Sequence, residues 1–272
     1  MNGASMVITR RGTDGVHRLR SGDSRIARMT PCADVSGAMT FAMFGRTNNN
    51  IIQLSNMLWH ARMSRRKLYI PPPLDWVHNL FDTSALMHRY CFEFNSATNT
   101  TVVGHDQSYY RRGLPATDEA LAEISNITAA LFAQPRDPMR DFAIVCKVAS
   151  AVHLRGLEGS CAQRNLARQH LAANEICHMS SGYIRAQLRD CSIDHVFLAT
   201  DDQQPPDTTR ILNDFHGWRY SGPNGVLVDL MALAYAHEAR CRVLNPASSF
   251  TVNAVAISTN AFGWCTQHDS AD

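Results

Sequence analysis

Apolar residues along this chain follow two alternating rhythms. Short apolar runs end in glycine, proline or polar turns, and longer stretches between them repeat at helical spacing. The first such unit opens near Met39. Residues 40–44 read as a short strand, and Gly45, Arg46, Thr47, Asn48, Asn49 and Asn50 form the turn after it. Ile51, Leu54, Leu58 and Ala61 then recur at the spacing of one buried face, which predicts a helix over 50–65. Residues 67–70 predict the next strand, stopped by Pro71, Pro72 and Pro73. Strand, glycine turn, helix and strand make a βαβ unit, which implies parallel pairing.

Residues 75–112 carry aromatics and no sustained period, so they are expected to be irregular with short elements. Thr117 followed by Asp118 and Glu119 marks a helix start reaching about residue 132, with a hydroxyl cap and acids in the first turn. Pro135, Arg136, Asp137 and Pro138 break that pattern and place a domain boundary there. Beyond it the rhythm resumes. Strands are expected at 147–154, 195–199 and 241–244, with one or two helices over 161–188 and a short one at 208–214. An irregular stretch at 218–220 precedes a helix over 226–238, with Val226, Leu227, Leu230, Leu233 and Ala234 facing inward, and a closing helix spans 248–258. The expected fold is α/β: a basic leader at 1–38, an α/β half at 39–137, and a second, Rossmann-like half at 138–272, the two halves facing a cleft.

Composition narrows the classes. At 272 residues, with 45% hydrophobic and 18% charged residues, the chain is globular rather than disordered. A net charge of +2 argues against a histone-like role, and no nucleic-acid partner is expected. No apolar run approaches the roughly 18 residues of a spanning helix, so no membrane-spanning segment is expected. The first 30 residues hold Arg10, Arg11, Arg18, Arg20, Arg25 and Arg28 against Asp14 and Asp23 and lack the apolar core of a secretory signal. They read as a disordered or weakly packed leader, with a transit-like segment or a lost upstream anchor as alternatives. Eight cysteines form no C-x-x-C pair, so no structural metal is expected; they permit disulfides without demanding them. Asn99-Thr100-Thr101 and Asn126-Ile127-Thr128 fit the N-glycosylation acceptor pattern and hint at a lumenal setting.

Candidate chemistry sits where strands hand over to helices, the edge at which open α/β sheets bind nucleotides. Ser248 and Ser249 start the closing helix. A hydroxyl there is either an ordinary cap or part of an anion site on the positive end of the helix dipole. His153 and Arg155 share one face of a strand end. Arg155 either pairs with Glu158 or forks onto two phosphate oxygens and offsets charge on a departing diphosphate. His153 reads as a hydrogen-bonded core imidazole or a supporting group rather than a base. Asp201 is either a turn-former or an acceptor for ribose or base N–H groups. Three asparagines at a helix start exceed what capping requires, which suggests amides that hold hydroxyls of a sugar or acceptor. The chain has no G-x-G-x-x-G, Walker loop or nucleophile elbow.

In order, these segments resemble the GDP-fucose protein O-fucosyltransferase superfamily, which includes the α1,2- and α1,6-fucosyltransferases. Gly45-Arg46 with Asn49 resembles its N-terminal G-R/G-x-x-N-Q turn, and Asn79-Leu80-Phe81-Asp82 its "FD" segment. His153-Leu154-Arg155, with Glu158 and Cys161, resembles its H-x-R motif. Residues 197–201 resemble its "ATD" strand, and Asp229 with 245–251 resembles its closing "D-x-x-x-L … N-x-x-S-S-F". The likeness spans roughly residues 40–260. It implies a GT-B fold, GDP-fucose as donor, a protein or glycan hydroxyl as acceptor, inversion at the anomeric carbon, and no obligatory metal or other cofactor. It also implies an ER or Golgi lumenal setting, for which the chain shows no signal or anchor. Carried over by position, Arg155 holds the diphosphate, and His153 and Asp201 line the nucleotide site. Ser248 and Ser249 bind phosphate, the Phe250 backbone lies near the guanine, Gly45 and Arg46 shape the donor turn, and Asn49 faces sugar and acceptor. Asn48 stands where some members have glycine, Asn50 replaces a glutamine, and the N-terminal half is short for a full Rossmann-like domain. These departures motivate an alternative: a non-catalytic relative that binds GDP-sugar or a protein partner.

Overall fold

A computed structural model describes residues 32, 35–43, 45, 47–94, 101–103, 118–136, 140–154, 179–200, 208–236, 240–245 and 248–258. Over these residues the protein is mixed α/β, with two small, open, wholly parallel sheets. The first sheet holds β1 (Ala38–Phe41), β2 (Lys67–Ile70), β3 (Phe92–Phe94) and β4 (Thr101–Val103) in the order β3-β2-β1-β4. The second holds β5 (Ala151–Leu154), β6 (Phe197–Thr200) and β7 (Arg242–Val243) in the order β6-β5-β7. Trp218 extends that order by one bridge, exchanging backbone hydrogen bonds with Val196 and Leu198 and packing edge-on against Phe197.

Helix α1 (Thr47–Met63) joins β1 to β2 and buries Ile51, Leu54, Leu58 and Ala61, as the periodicity predicts. The expected parallel pairing follows, with Met39 opposite Leu68 and Thr40 opposite Tyr69. The 75–112 stretch contains α2 (Asp75–Leu80), α3 (Ser84–Tyr90), β3 and β4. Its strands are three residues each, too short to show alternation. Helix α4 (Asp118–Leu131) buries Ile124, Ile127, Thr128 and Leu131. Residues 147–150, expected as strand, follow helix α5 (Arg140–Cys146), and pairing begins only at Ala151.

Both faces of β5 are covered, as expected for a parallel strand. Ala151, Phe197 and Ala199 join the larger core with α8 (Gly225–Tyr235), whereas Val152, Leu154 and Leu198 join a smaller one. That smaller core is closed by α6 (Ser181–Gln187) and α7 (Thr208–Asp214). The split is the period-2 alternation of a strand made visible. Helix α8 is apolar nearly all round and correspondingly buried, except that Val226, expected to face inward, is exposed, on the side of the helix it shares with the half-buried Asp229. The last helix, α9 (Ser249–Ser258), packs on α1, α4 and α8, so it touches elements of both halves. One apolar core runs from Met39 to Ile257.

Arg242 fastens the centre of this arrangement. Its guanidinium donates to the carbonyls of Leu233 (3.0 Å), Ala234 (3.3 Å) and Ala254 (3.4 Å) and to Ser258 Oγ (3.1 Å). A cation is favourable at the carbonyl end of α8. Burial pulls its guanidinium down to about 10, still cationic at neutral pH. Nothing in the sequence singled this arginine out; the signal was a lone charge inside a short apolar strand.

Two disulfides, Cys32–Cys91 and Cys191–Cys241, are formed, and Cys146 is disulfide-bonded as well. Cys91 and Cys241 each immediately precede a strand, β3 and β7. Both bridges therefore clamp the amino-terminal edge of a sheet. Among the described residues no helix is long and apolar enough to cross a membrane.

Candidate functional site

The carboxyl-terminal edges of the sheets lie opposite those bridges. In the second sheet β5 is central, and the chain leaves it toward β6 on one side but later returns as β7 on the other. The strand order thus reverses between β5 and β7, and the crevice outside that reversal is where open α/β sheets place ligands. His153 and the start of α9 flank this point. In the first sheet the corresponding reversal lies between β1 and β4, and the turn after β1 carries Gly45 and leads into Asn49.

Local chemistry explains each placement. Ser248 caps α9: its Oγ accepts the Phe250 N–H at 3.2 Å, and its own N–H donates to the Asn245 carbonyl at 3.1 Å. Ser248 is 4% exposed, while Ser249 and Phe250 are half-buried. Capping is therefore one role of Ser248, and Ser249 is the hydroxyl with more solvent access. His153 is 4% exposed and packs its ring against Phe250, centroids 5.0 Å apart and planes 37° apart. Strand β5 and the α9 start are thereby joined side chain to side chain.

The asparagine turn divides its labour. Asn48 is buried, and both its backbone carbonyl and its Oδ1 accept from Asn253 Nδ2, at 3.0 and 3.1 Å. Asn50 is also buried. Asn49 is half-buried and lies over Gly45, whose φ of +81° an L-residue adopts only under strain. A Cβ at Gly45 would meet Asn49 Nδ2 at 2.2 Å. Glycine here both makes the turn and leaves space for the amide. Asn253 stands four residues after Ser249, one turn or about 6 Å along the helix axis. His153, Phe250, Asn253 and Asn48 are consequently linked in one run along α9, which joins the end of β5 to the start of α1.

Arg46, Arg155 and Asp201 lie outside the described residues, as do Glu158 and Cys161. Arg155 and Asp201 directly follow Leu154 and Thr200, which pair with each other at the carboxyl edge. The "FD" segment has structural work: Phe81 is fully buried edge-on against Phe132, and Asp82 accepts the Ser84 N–H at 3.0 Å and the Ser84 hydroxyl at 2.5 Å. Those bonds hold the exposed Asp82 carboxyl below the usual carboxylate range. Among the described residues no group of three or more His, Cys, Asp or Glu could hold a metal ion. Sequence reasoning missed Asn253, because an asparagine inside an apolar helix offers no spacing signal until its partner is known.

Two outcomes follow from this geometry. Asn253→Ala leaves the buried side-chain oxygen of Asn48 without its Asn253 donor and is expected to lower stability by about 2 kcal/mol. In urea unfolding, Asn48→Ala added to Asn253→Ala should cost less than the sum of the singles, because both remove one contact. Gly45→Ala is expected to cost about 1–2 kcal/mol for its positive φ. It should also displace Asn49, so any turnover should fall further than donor affinity, measured as kcat against KM. Compared with known proteins, the chain matches no protein-family model, no curated protein and no solved structure.

Proposed function

We propose that this protein is an inverting glycosyltransferase of GT-B type that moves fucose from GDP-fucose to a hydroxyl of a protein or glycan acceptor. The observation that carries the reading is the junction at the amino end of α9. There His153 stacks near Phe250, and one helical turn on, Asn253 holds the asparagine turn of the first half.

A diphosphate fits the chemistry of this place. The dipole of α9 favours negative charge at its amino end. Arg155, next in sequence to Leu154, would supply a fork of donors to two phosphate oxygens. As the bond between the anomeric carbon and the diphosphate breaks, negative charge grows on GDP and positive charge on the sugar. Arg155 and the Ser249 hydroxyl stabilise the former. The acceptor hydroxyl attacks from the opposite face, inverting the centre and releasing its proton to solvent water, with the Asn49 amide orienting it. A loose transition state needs little help from a base, and the reading requires no metal.

Calorimetric titration with GDP, ADP and GDP-fucose, joined to an assay of donor hydrolysis, tests the proposal. Selective binding of the guanine nucleotides with release of fucose supports it. Binding without any turnover, with or without acceptors, would favour the non-catalytic relative. No binding of any of the three would remove the transferase reading and the GDP-sugar-binding form of the alternative.

A further inference from the structure

We propose that Asn126 is an N-glycosylation acceptor, a modification site independent of the reading above. Asn126-Ile127-Thr128 has the acceptor pattern, and its middle residue is not proline. Two observations from the structure raise it above a chance match. First, the disulfides Cys32–Cys91 and Cys191–Cys241 form and persist in the oxidising compartments, where this modification occurs. Second, Asn126 lies on the outer stripe of α4 with Glu119 and Ala122, all exposed, at the i, i+3, i+7 spacing of one face. Ile124, Ile127, Thr128 and Leu131 occupy the opposite, buried side. A bulky polar oligosaccharide on Asn126 would project from this solvent-facing stripe and displace no core packing.

Thr128 sets the order of events. In the folded protein its hydroxyl donates to Ser55 Oγ at 2.8 Å and to the Ile124 carbonyl at 3.1 Å, and it is buried. A transferase that must read this hydroxyl reaches it only before α4 docks on α1, so modification precedes folding. The donor is a lipid-linked oligosaccharide diphosphate. The Asn126 amide nitrogen forms a bond to the anomeric carbon while the bond from that carbon to the diphosphate oxygen breaks with its electron pair. The amide proton passes to a base of the transferring enzyme.

The test is secretion of the full chain, fused behind a cleavable signal peptide, from eukaryotic cells, followed by glycosidase release and peptide mapping, in which a modified asparagine is read as aspartate. Wild type and Thr128→Ser, which keeps both the acceptor pattern and a hydroxyl for Ser55, should show Asn126 converted. Asn126→Gln, a change on an exposed face, and Thr128→Val should each lose that one oligosaccharide, the former while secreting at the wild-type level. Folded protein from a bacterial host should not become modified when mixed with donor and transferase. Disulfide-bonded wild type with an unmodified Asn126 peptide, or with oligosaccharide confined to other asparagines, would overturn the proposal.

Discussion

Replacing Cys191 and Cys241 together by serine should lower the stability of the protein by about 4 kcal/mol, the loop-closure value for a bridge across tens of residues. The separation here is 50 residues. For a chain of this size that loss corresponds to a fall of roughly 10 °C in Tm. Its place in the fold makes a second part of the prediction sharper. The bridge joins the turn after α6 to the residue before β7, and the Cys241 carbonyl accepts from the Ala151 N–H at 2.9 Å. These atoms lie at the amino edge of the sheet, away from His153 and Ser248 at the carboxyl edge. Below the new midpoint, affinity for GDP should therefore stay at the wild-type value. Calorimetric unfolding beside a GDP titration measures both; an affinity that falls in step with stability would mean that the two edges are coupled.

Arg155→Ala should have the largest effect on function. The arginine follows the last residue of β5 at the strand-order reversal, where a ligand's phosphates are expected. Losing a charge-assisted contact to the diphosphate should weaken GDP binding by about 2 kcal/mol, roughly 30-fold. The loss in turnover should be greater, because charge on the leaving group peaks in the transition state. A missing donor of this kind costs about 3 kcal/mol of barrier, on the order of 100-fold. Arg155→Lys keeps the charge but not the fork and should recover binding better than turnover. Equal GDP binding by wild type and Arg155→Ala would take the arginine out of this role.

Much of the scaffold was legible because its longer elements obey one period. The Ile51, Leu54, Leu58 and Ala61 stripe gave α1, the unbroken apolar run gave α8, and the βαβ rhythm gave parallel strands. Strand order was not legible, since β7 is two residues long and β3 and β4 are three. Residues 147–150 read as strand because a short apolar run does not distinguish strand from the end of a helix. At the site, Ser248 and the asparagines show what sequence leaves open. A hydroxyl at a helix start and amides in a turn suit either capping or a ligand. Ser248 caps Phe250 and Asn48 is spent on Asn253, so under the proposal Ser249 and Asn49 are the residues left to face a ligand. Arg242 and Asn253 escaped notice for a related reason: their partners lie on other elements, and only the fold brings them within reach.

The most direct test is amide hydrogen exchange of the wild-type protein with and without saturating GDP. Protection should concentrate in the peptides spanning the end of β5, the end of β6 and the first turn of α9, with little change at the amino edge around Cys91 and Cys241. Protection centred anywhere else, with the start of α9 exchanging as before, would contradict a diphosphate seated at the carboxyl edge of the second sheet.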